Sequence, residues 1–233
     1  MKEMLAILLN TNVQNFEDRE FKEQYYVDFN TLQLIHVDES NINAFKDKIL
    51  SDTRFTKEIK RVKRERVYQG TIVDVYKDYM EFSNGNHEVW DYIHHKGAAA
   101  VIPVMDDGRL LMVRQYRNAL DRFTLELPAG GLDQADEPGR DCSARELEEE
   151  TGYHSDDLEW LITLRTTVAL CNEKIEVYVA RNLIRTHQHL DENEFVNVEA
   201  HTVEELKQMI FEGKIEDSKT VAAILAYDAK YNR

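Results

Sequence analysis

Apolar residues gather into short runs separated by turn-forming residues, and the runs change character near Gly70. Before it, Leu5–Leu9 and Thr31–Val37 (TLQLIHV) read as short strands. Ile42, Phe45 and Ile49 fall at i, i+3 and i+7, the spacing of one helix face over Asn41–Leu50. After Gly70, Thr71–Phe82 and His87–His94 flank Asn84-Gly85, a hairpin signal because that pair accepts the positive φ a tight turn needs. Ala98–Met105 and Arg109–Tyr116 flank Asp106-Asp107-Gly108 and predict a second hairpin. Phe123–Leu127, Leu161–Val168 and Lys174–Ala180 are further strands; in the last, Ile175, Val177 and Val179 alternate with other residues. Helical periodicity covers Arg140–Thr151, stopped by Gly152, and Val203–Phe211, stopped by Gly213, and Ser218–Ala229 predicts a final helix. Strands and helices in this proportion predict an α+β fold with a mixed sheet packed between helices.

The change near Gly70 has a counterpart in charge. Residues 1–70 hold 12 basic and 12 acidic side chains, so the chain's whole net charge of −15 lies beyond them. Residues 1–56 read as a small α/β appendage and residues 57–233 as the main domain. Between them, Lys57–Arg66 (KEIKRVKRER) carries six basic residues in ten and reads as a solvated connector, with an anion-binding or dimer-contact strand as the alternative. So acidic a chain is a poor match for nucleic acid, which needs a basic surface. No apolar run is long enough for a membrane helix or a secretory signal, and two cysteines are too few for a disulfide framework. A soluble cytoplasmic protein is expected.

The excess carboxylate is concentrated in Gly131–Tyr153, GLDQADEPGRDCSARELEEETGY. On a helix, Glu146, Glu149 and Glu150 fall at i, i+3 and i+4 and share one face, with Ala144 and Leu147 available to pack beneath and Arg145 placed to pair with Glu149. In a partly buried cleft, carboxylates ~4 Å apart repel by roughly 4 kcal/mol at an effective dielectric near 20, which a cation relieves. Hard oxygen ligands suit Mg²⁺ or Mn²⁺, which also bind substrate phosphate oxygens.

The spacing Gly131, Glu137, then Arg145-Glu146-Leu147-Glu148-Glu149-Glu150-Thr151-Gly152-Tyr153 resembles the Nudix box, G-x5-E-x7-R-E-U-x-E-E-x-G-U, at every fixed position, with Tyr153 where an aliphatic is usual. Arg114-Gln115-Tyr116-Arg117, Leu125-Glu126-Leu127-Pro128-Ala129-Gly130 and Asp191-Glu192-Asn193-Glu194 look like the ADP-ribose pyrophosphatase and nucleotide-sugar hydrolase branch of that superfamily. The resemblance runs from about Arg66 to Asn232 and implies an α/β/α sandwich with a mixed sheet. It also implies a homodimer and Mg²⁺-dependent hydrolysis of a nucleoside diphosphate derivative to a nucleoside monophosphate and a sugar phosphate.

By the same resemblance, Glu146 and Glu150 are metal ligands, Glu149 a ligand or orienter that Arg145 holds, and Glu194 a further ligand. Glu192 is then the base, Arg117 a grip on substrate phosphate, Trp90 a stacking surface for the nucleobase, and Glu173 a polar contact to substrate. A backbone carbonyl before the box glycine completes such sites. Here ELPAG makes Gly130 that glycine while the spacing to Glu137 makes it Gly131, so the carbonyl belongs to Ala129 or Gly130. Two departures bear on specificity. Ile72 stands where some relatives have a second aromatic, and Val168 where ADP-ribose hydrolases of the branch usually have proline. The substrate is therefore open between ADP-ribose and another nucleotide sugar. The alternatives are a nucleotide-sugar sensor without turnover, or a hydrolase of dinucleotides or nucleoside triphosphates.

Overall fold

The computed structural model describes residues 24–28, 33–37, 59–134, 136–190 and 195–232. Contacts divide the chain into two compact units, Met1–Arg61 with Met80–Glu88, and Val62–Tyr79 with Val89–Arg233. Strands β1 (Gln24–Asp28) and β2 (Gln33–Val37) pair antiparallel, so the expected strand at Thr31–Val37 is present, slightly shorter. The strand at Leu5–Leu9 and the helix at Asn41–Leu50 lie outside the described residues.

Lys57–Arg66 is not a connector: strand β3 (Ile59–Gln69) runs through it, followed by β4 (Asp74–Phe82) and β5 (His87–His94) in one three-stranded sheet. Arg64 holds both carboxylate oxygens of Asp78 on β4 at 2.6 Å, Arg66 faces Asp74 on the same strand, and Lys63 pairs with Glu65 on β3 itself. Charge alone therefore misled the reading, because carboxylates of the same sheet offset part of the basic run. The Asn84-Gly85 turn forms as expected, with Gly85 at φ 82°.

The larger unit is built on a mixed sheet ordered β11 (Asp157–Leu164), β12 (Ile175–Arg181), β6 (Ala98–Pro103), β9 (Ala129–Gly131). β12 and β6 are parallel and the outer pairs antiparallel. The period-2 pleat sorts the central side chains. Val101 on β6 and Ala180 on β12 pack with Leu147 of helix α1 (Gly139–Thr151) on one face. Ala100, Ile102, Val177 and Val179 point the other way, into a core shared with Leu206 of α2 (Val203–Phe211) and Ala223, Ile224 and Tyr227 of α3 (Ser218–Tyr231). Helices thus cover both faces, the sandwich that was expected.

A second antiparallel sheet is ordered β14 (Val196–His201), β7 (Leu110–Arg117), β8 (Arg122–Glu126). Two expectations need correction. The turn at Asp106-Asp107-Gly108 forms, with the Met105 N–H donating to Arg109 O at 2.9 Å, but no hairpin follows. β6 and β7 share one bridge, Val104 to Leu110, then part into different sheets, because each finds longer partners elsewhere. The strand expected at Leu161–Val168 is β11, which begins earlier and ends at Leu164; the following residues turn through Thr167, whose carbonyl accepts from the Leu170 and Cys171 N–H groups. The short strands β10 (Tyr153–His154) and β13 (Ile184–Arg185) pair beyond the end of α1.

Candidate active site

Helix α1 starts after Pro138 and ends at Gly152, whose φ of 68° supplies the left-handed cap that the sequence suggested. Leu147 is fully buried beneath it. On the same helix Glu146 and Glu150 are buried, 8% and 3% exposed, while Glu149 sits at the edge. Both buried carboxylates meet strand β9. The Ala129 N–H donates to Glu150 Oε2 at 2.9 Å. Gly130 lies so close to Glu146 that a Cβ there would stand 2.0 Å from its Oε1. Only glycine leaves that cradle open. Gly131, the alternative box glycine, has no such neighbour: its nearest atom would be Gly97 O at 3.9 Å.

Arg145 fastens the intervening loop to the helix. Its Nη1 donates to Glu146 Oε1 at 2.6 Å and to Glu149 Oε2 at 3.0 Å, the i, i+4 pair the spacing predicted. Its Nη2 donates to Gly131 O at 3.1 Å, and its Nε faces Glu137 Oε1 at 3.5 Å. Glu137 in turn accepts from the Asp133 N–H at 2.7 Å. The Cys142 thiol, fully enclosed behind this loop, is pushed up to about 12 by burial and by the charge of Glu146.

β9 forms one wall of a cleft of about 620 Å³, lined also by Ile72, His95, Arg117, Glu126, Glu173 and Lys219. Arg117 and Glu173 are thus brought to one cavity with Ala129 and Gly130. Glu173 Oε2 accepts from the Thr166 hydroxyl, and its Oε1 stands 3.6 Å from His95 Nδ1. Asn172 holds the His95 backbone from both sides, at 2.8 and 3.1 Å. Trp90 lies on β5, 43% exposed, and is not among the residues lining this cleft. Glu192 and Glu194 fall outside the described residues.

Sequence reasoning gave no role to Glu126 or Lys219, which the structure places together among the residues lining the cleft. Glu126 is 2% exposed at the end of β8. It accepts from Arg117 Nε and Nη2 at 2.8 and 2.7 Å, from the Thr124 hydroxyl at 2.7 Å and from the Lys219 ammonium. Burial by itself would raise its carboxyl, but the Arg117 hydrogen bonds and the Lys219 charge outweigh that and hold it at about 2. A signal existed: Glu126 stands between Leu125 and Leu127 in an otherwise apolar strand end, where a charge survives only if paired.

Among the described residues no three His, Cys, Asp or Glu side chains are gathered closely enough to hold a metal ion. The donor chemistry nevertheless fits a hard divalent cation: Glu146 packs on Gly130 and Glu150 meets the Ala129 N–H, so two buried carboxylates offer oxygen ligands along β9. No helix among the described residues is long and apolar enough to cross a membrane.

A NUDIX domain family model matches residues 94–224. The chain is 40% identical over 169 residues to a methanol dehydrogenase activator of Bacillus methanolicus, covering 72% of this chain and 91% of that protein. It is 35% identical to an ADP-ribose pyrophosphatase of Bacillus subtilis with the same coverage. To an ADP-ribose pyrophosphatase of Mycobacterium tuberculosis it is 31% identical, over 72% of this chain and 82% of the relative. A crystal structure of an ADP compounds hydrolase shares the fold at a TM-score of 0.67 and 22% identity, covering 74% of this chain and 94% of that one. A family match over more than half its length, together with relatives at 31–40% identity over 72% of it, establishes that this chain belongs to the NUDIX domain family.

Proposed function

We propose that this chain is a divalent-metal-dependent Nudix pyrophosphohydrolase. It cleaves the diphosphate linkage of a nucleoside diphosphate sugar, ADP-ribose or a related ADP compound, to a nucleoside monophosphate and a sugar phosphate. The observation that carries the reading is the seating of Glu146 and Glu150 against Gly130 and Ala129, at a cleft that also holds Arg117. Relatives named ADP-ribose pyrophosphatase, at 31% and 35% identity, support the substrate class.

In this reading Glu146 and Glu150, with a carbonyl of Ala129 or Gly130 and with Glu194, hold Mg²⁺ or Mn²⁺. A bound divalent ion screens phosphate charge and lowers the pKa of water at phosphorus. Arg145 keeps Glu146 and Glu149 in position through its two contacts from Nη1. Arg117 offers its planar guanidinium to paired phosphate oxygens. Glu192 takes the proton from the attacking water, and Glu173, braced by Thr166, accepts hydroxyl hydrogen bonds from the substrate. Trp90 stacks on the base. The chain works as a homodimer, a reading supported by the exposed apolar side chains Val62, Val67 and Tyr68 on β3, and the cytoplasm suits its free Cys142 and Cys171.

The test is a panel of ADP-ribose, GDP-mannose and UDP-glucose incubated with the purified chain and Mg²⁺ or Mn²⁺. AMP and ribose 5-phosphate from ADP-ribose, lost on chelation, are expected. Recovery of every substrate intact would overturn the proposal.

A further inference from the structure

Lys219 breaks a rule of its own neighbourhood. It sits in the first turn of α3, where the helix dipole disfavours a cation, and that turn holds no acidic residue. It is also 9% exposed, an unusual burial for a lysine. Local conflicts of this kind are retained where a site needs them. Its ammonium lies between two carboxylates, donating to Glu126 and, at 2.9 Å, to Asp217 Oδ2. Asp217 Oδ2 also accepts from the Thr220 N–H at 3.0 Å and the Thr220 hydroxyl at 2.6 Å, and that hydroxyl oxygen accepts from the Leu127 N–H at 3.0 Å. The start of α3 is thereby tied to the strand end that carries Glu126.

Glu126 in turn receives Arg117 side-on, through Nε and Nη2. A guanidinium has five N–H donors in a rigid plane, so fixing one edge fixes the direction of the other. Arg117 and Lys219 both line the cleft. From this geometry we propose that Lys219 and Glu126 are positioning residues: they orient the Arg117 guanidinium so that its outer edge faces the substrate diphosphate, and thereby set substrate affinity. The proposal rests on the reading of Arg117 as the phosphate grip. Without the ammonium, Glu126 keeps one cation instead of two, and Arg117 loses the fixed edge against which it is aligned.

The test compares Lys219→Met, Lys219→Arg and Arg117→Ala with the double variant Lys219→Met/Arg117→Ala, in the full chain at saturating Mg²⁺ with the ADP-ribose concentration varied. Lys219→Met is expected to raise KM about tenfold while kcat changes less than about threefold, the signature of lost binding rather than lost chemistry. Lys219→Arg, which keeps the cation, restores most of that KM. In the Arg117→Ala background Lys219→Met adds nothing to KM, since the guanidinium it positions is gone. Thermal melting identifies any variant that fails to fold, and Glu126→Gln, which retains the shape of the side chain, then stands in for Lys219→Met with the same expectations. An unchanged KM in folded Lys219→Met, or a full tenfold effect persisting without Arg117, overturns the positioning role. An unchanged KM in Arg117→Ala overturns the phosphate-grip reading, and this proposal with it. A raised KM in Arg117→Ala beside an unchanged one in Lys219→Met sinks the proposal alone.

Discussion

Replacing Gly130 by alanine separates the chemistry of the site from the stability of the fold. The added Cβ would stand 2.0 Å from Glu146 Oε1, 2.2 Å from its Cδ and 2.5 Å from Oε2. A carbon and an oxygen settle no closer than about 3.3 Å, so the carboxylate must retreat by roughly 1 Å or more. Glu146 is the far end of a flexible side chain, and Gly130 is not at a positive φ, so the backbone itself accepts alanine. The stability cost is therefore near the lower end of the ~1–3 kcal/mol for overpacking, a fall in Tm of only a few degrees for a chain of this size. The activity cost is larger. Retreat breaks the 2.6 Å contact with Arg145 and moves a proposed ligand, and misplacement by ~1 Å is worth about 100-fold in rate, roughly 2.7 kcal/mol. Gly131→Ala is the control, because its Cβ meets nothing nearer than 3.9 Å. The assay is kcat/KM for ADP-ribose with a metal titration, beside thermal melts. A Gly130→Ala protein within threefold of the parent, or equal losses in both variants, would refute the reasoning.

Protonation of Glu126 should destabilise the fold. Its folded pKa of about 2 lies below the ordinary 4.5, so its contribution is complete above about 4.5 and lost as pH falls toward 2. Urea unfolding of the parent and Glu126→Gln should differ by on the order of 3 kcal/mol at neutral pH and converge near pH 2. Glu150→Gln should weaken Mn²⁺ affinity and remove most turnover with the melt unchanged, whereas Glu192→Gln should cut kcat by ~10²–10⁴-fold with metal affinity kept; a calorimetric metal titration separates the two. Iodoacetamide at pH 8 should label Cys171 in the native protein and spare Cys142, whose buried thiol is held near 12; mass spectrometry of tryptic peptides reads the outcome, with activity expected to persist.

The parts of this molecule that follow from local rules could be read from the residues. α1 announced itself by its period and by Gly152, the Glu146/Glu150 face by spacing, and the β4–β5 turn by Asn84-Gly85. What escaped was set by distant partners. The sequence around Asp106 contains a good turn, but whether two strands stay paired depends on what else each can reach, and β12 and β14 outbid the hairpin. Lys219 and Glu126 are 93 residues apart, so no window of sequence shows that they meet. The ELPAG motif pointed to Gly130 and the spacing to Glu137 pointed to Gly131, and no count along the chain could show that Glu146 approaches the first of them and not the second.

The ladder that joins β9 to β6 pairs Ala129 with Ala100, Gly130 with Ala99 and Gly131 with Ala98, and Arg145 grasps the carbonyl of its last residue, Gly131. Arg145 also reaches Glu137 at 3.5 Å, and Glu137 accepts from the Asp133 N–H at 2.7 Å, so the turn is knotted along its course as well as at its start. A residue gained or lost between those knots would draw Glu137 off Arg145 and loosen the guanidinium that steadies Glu146 and Glu149. Descendants of such a chain can therefore vary the side chains of this stretch far more freely than its length.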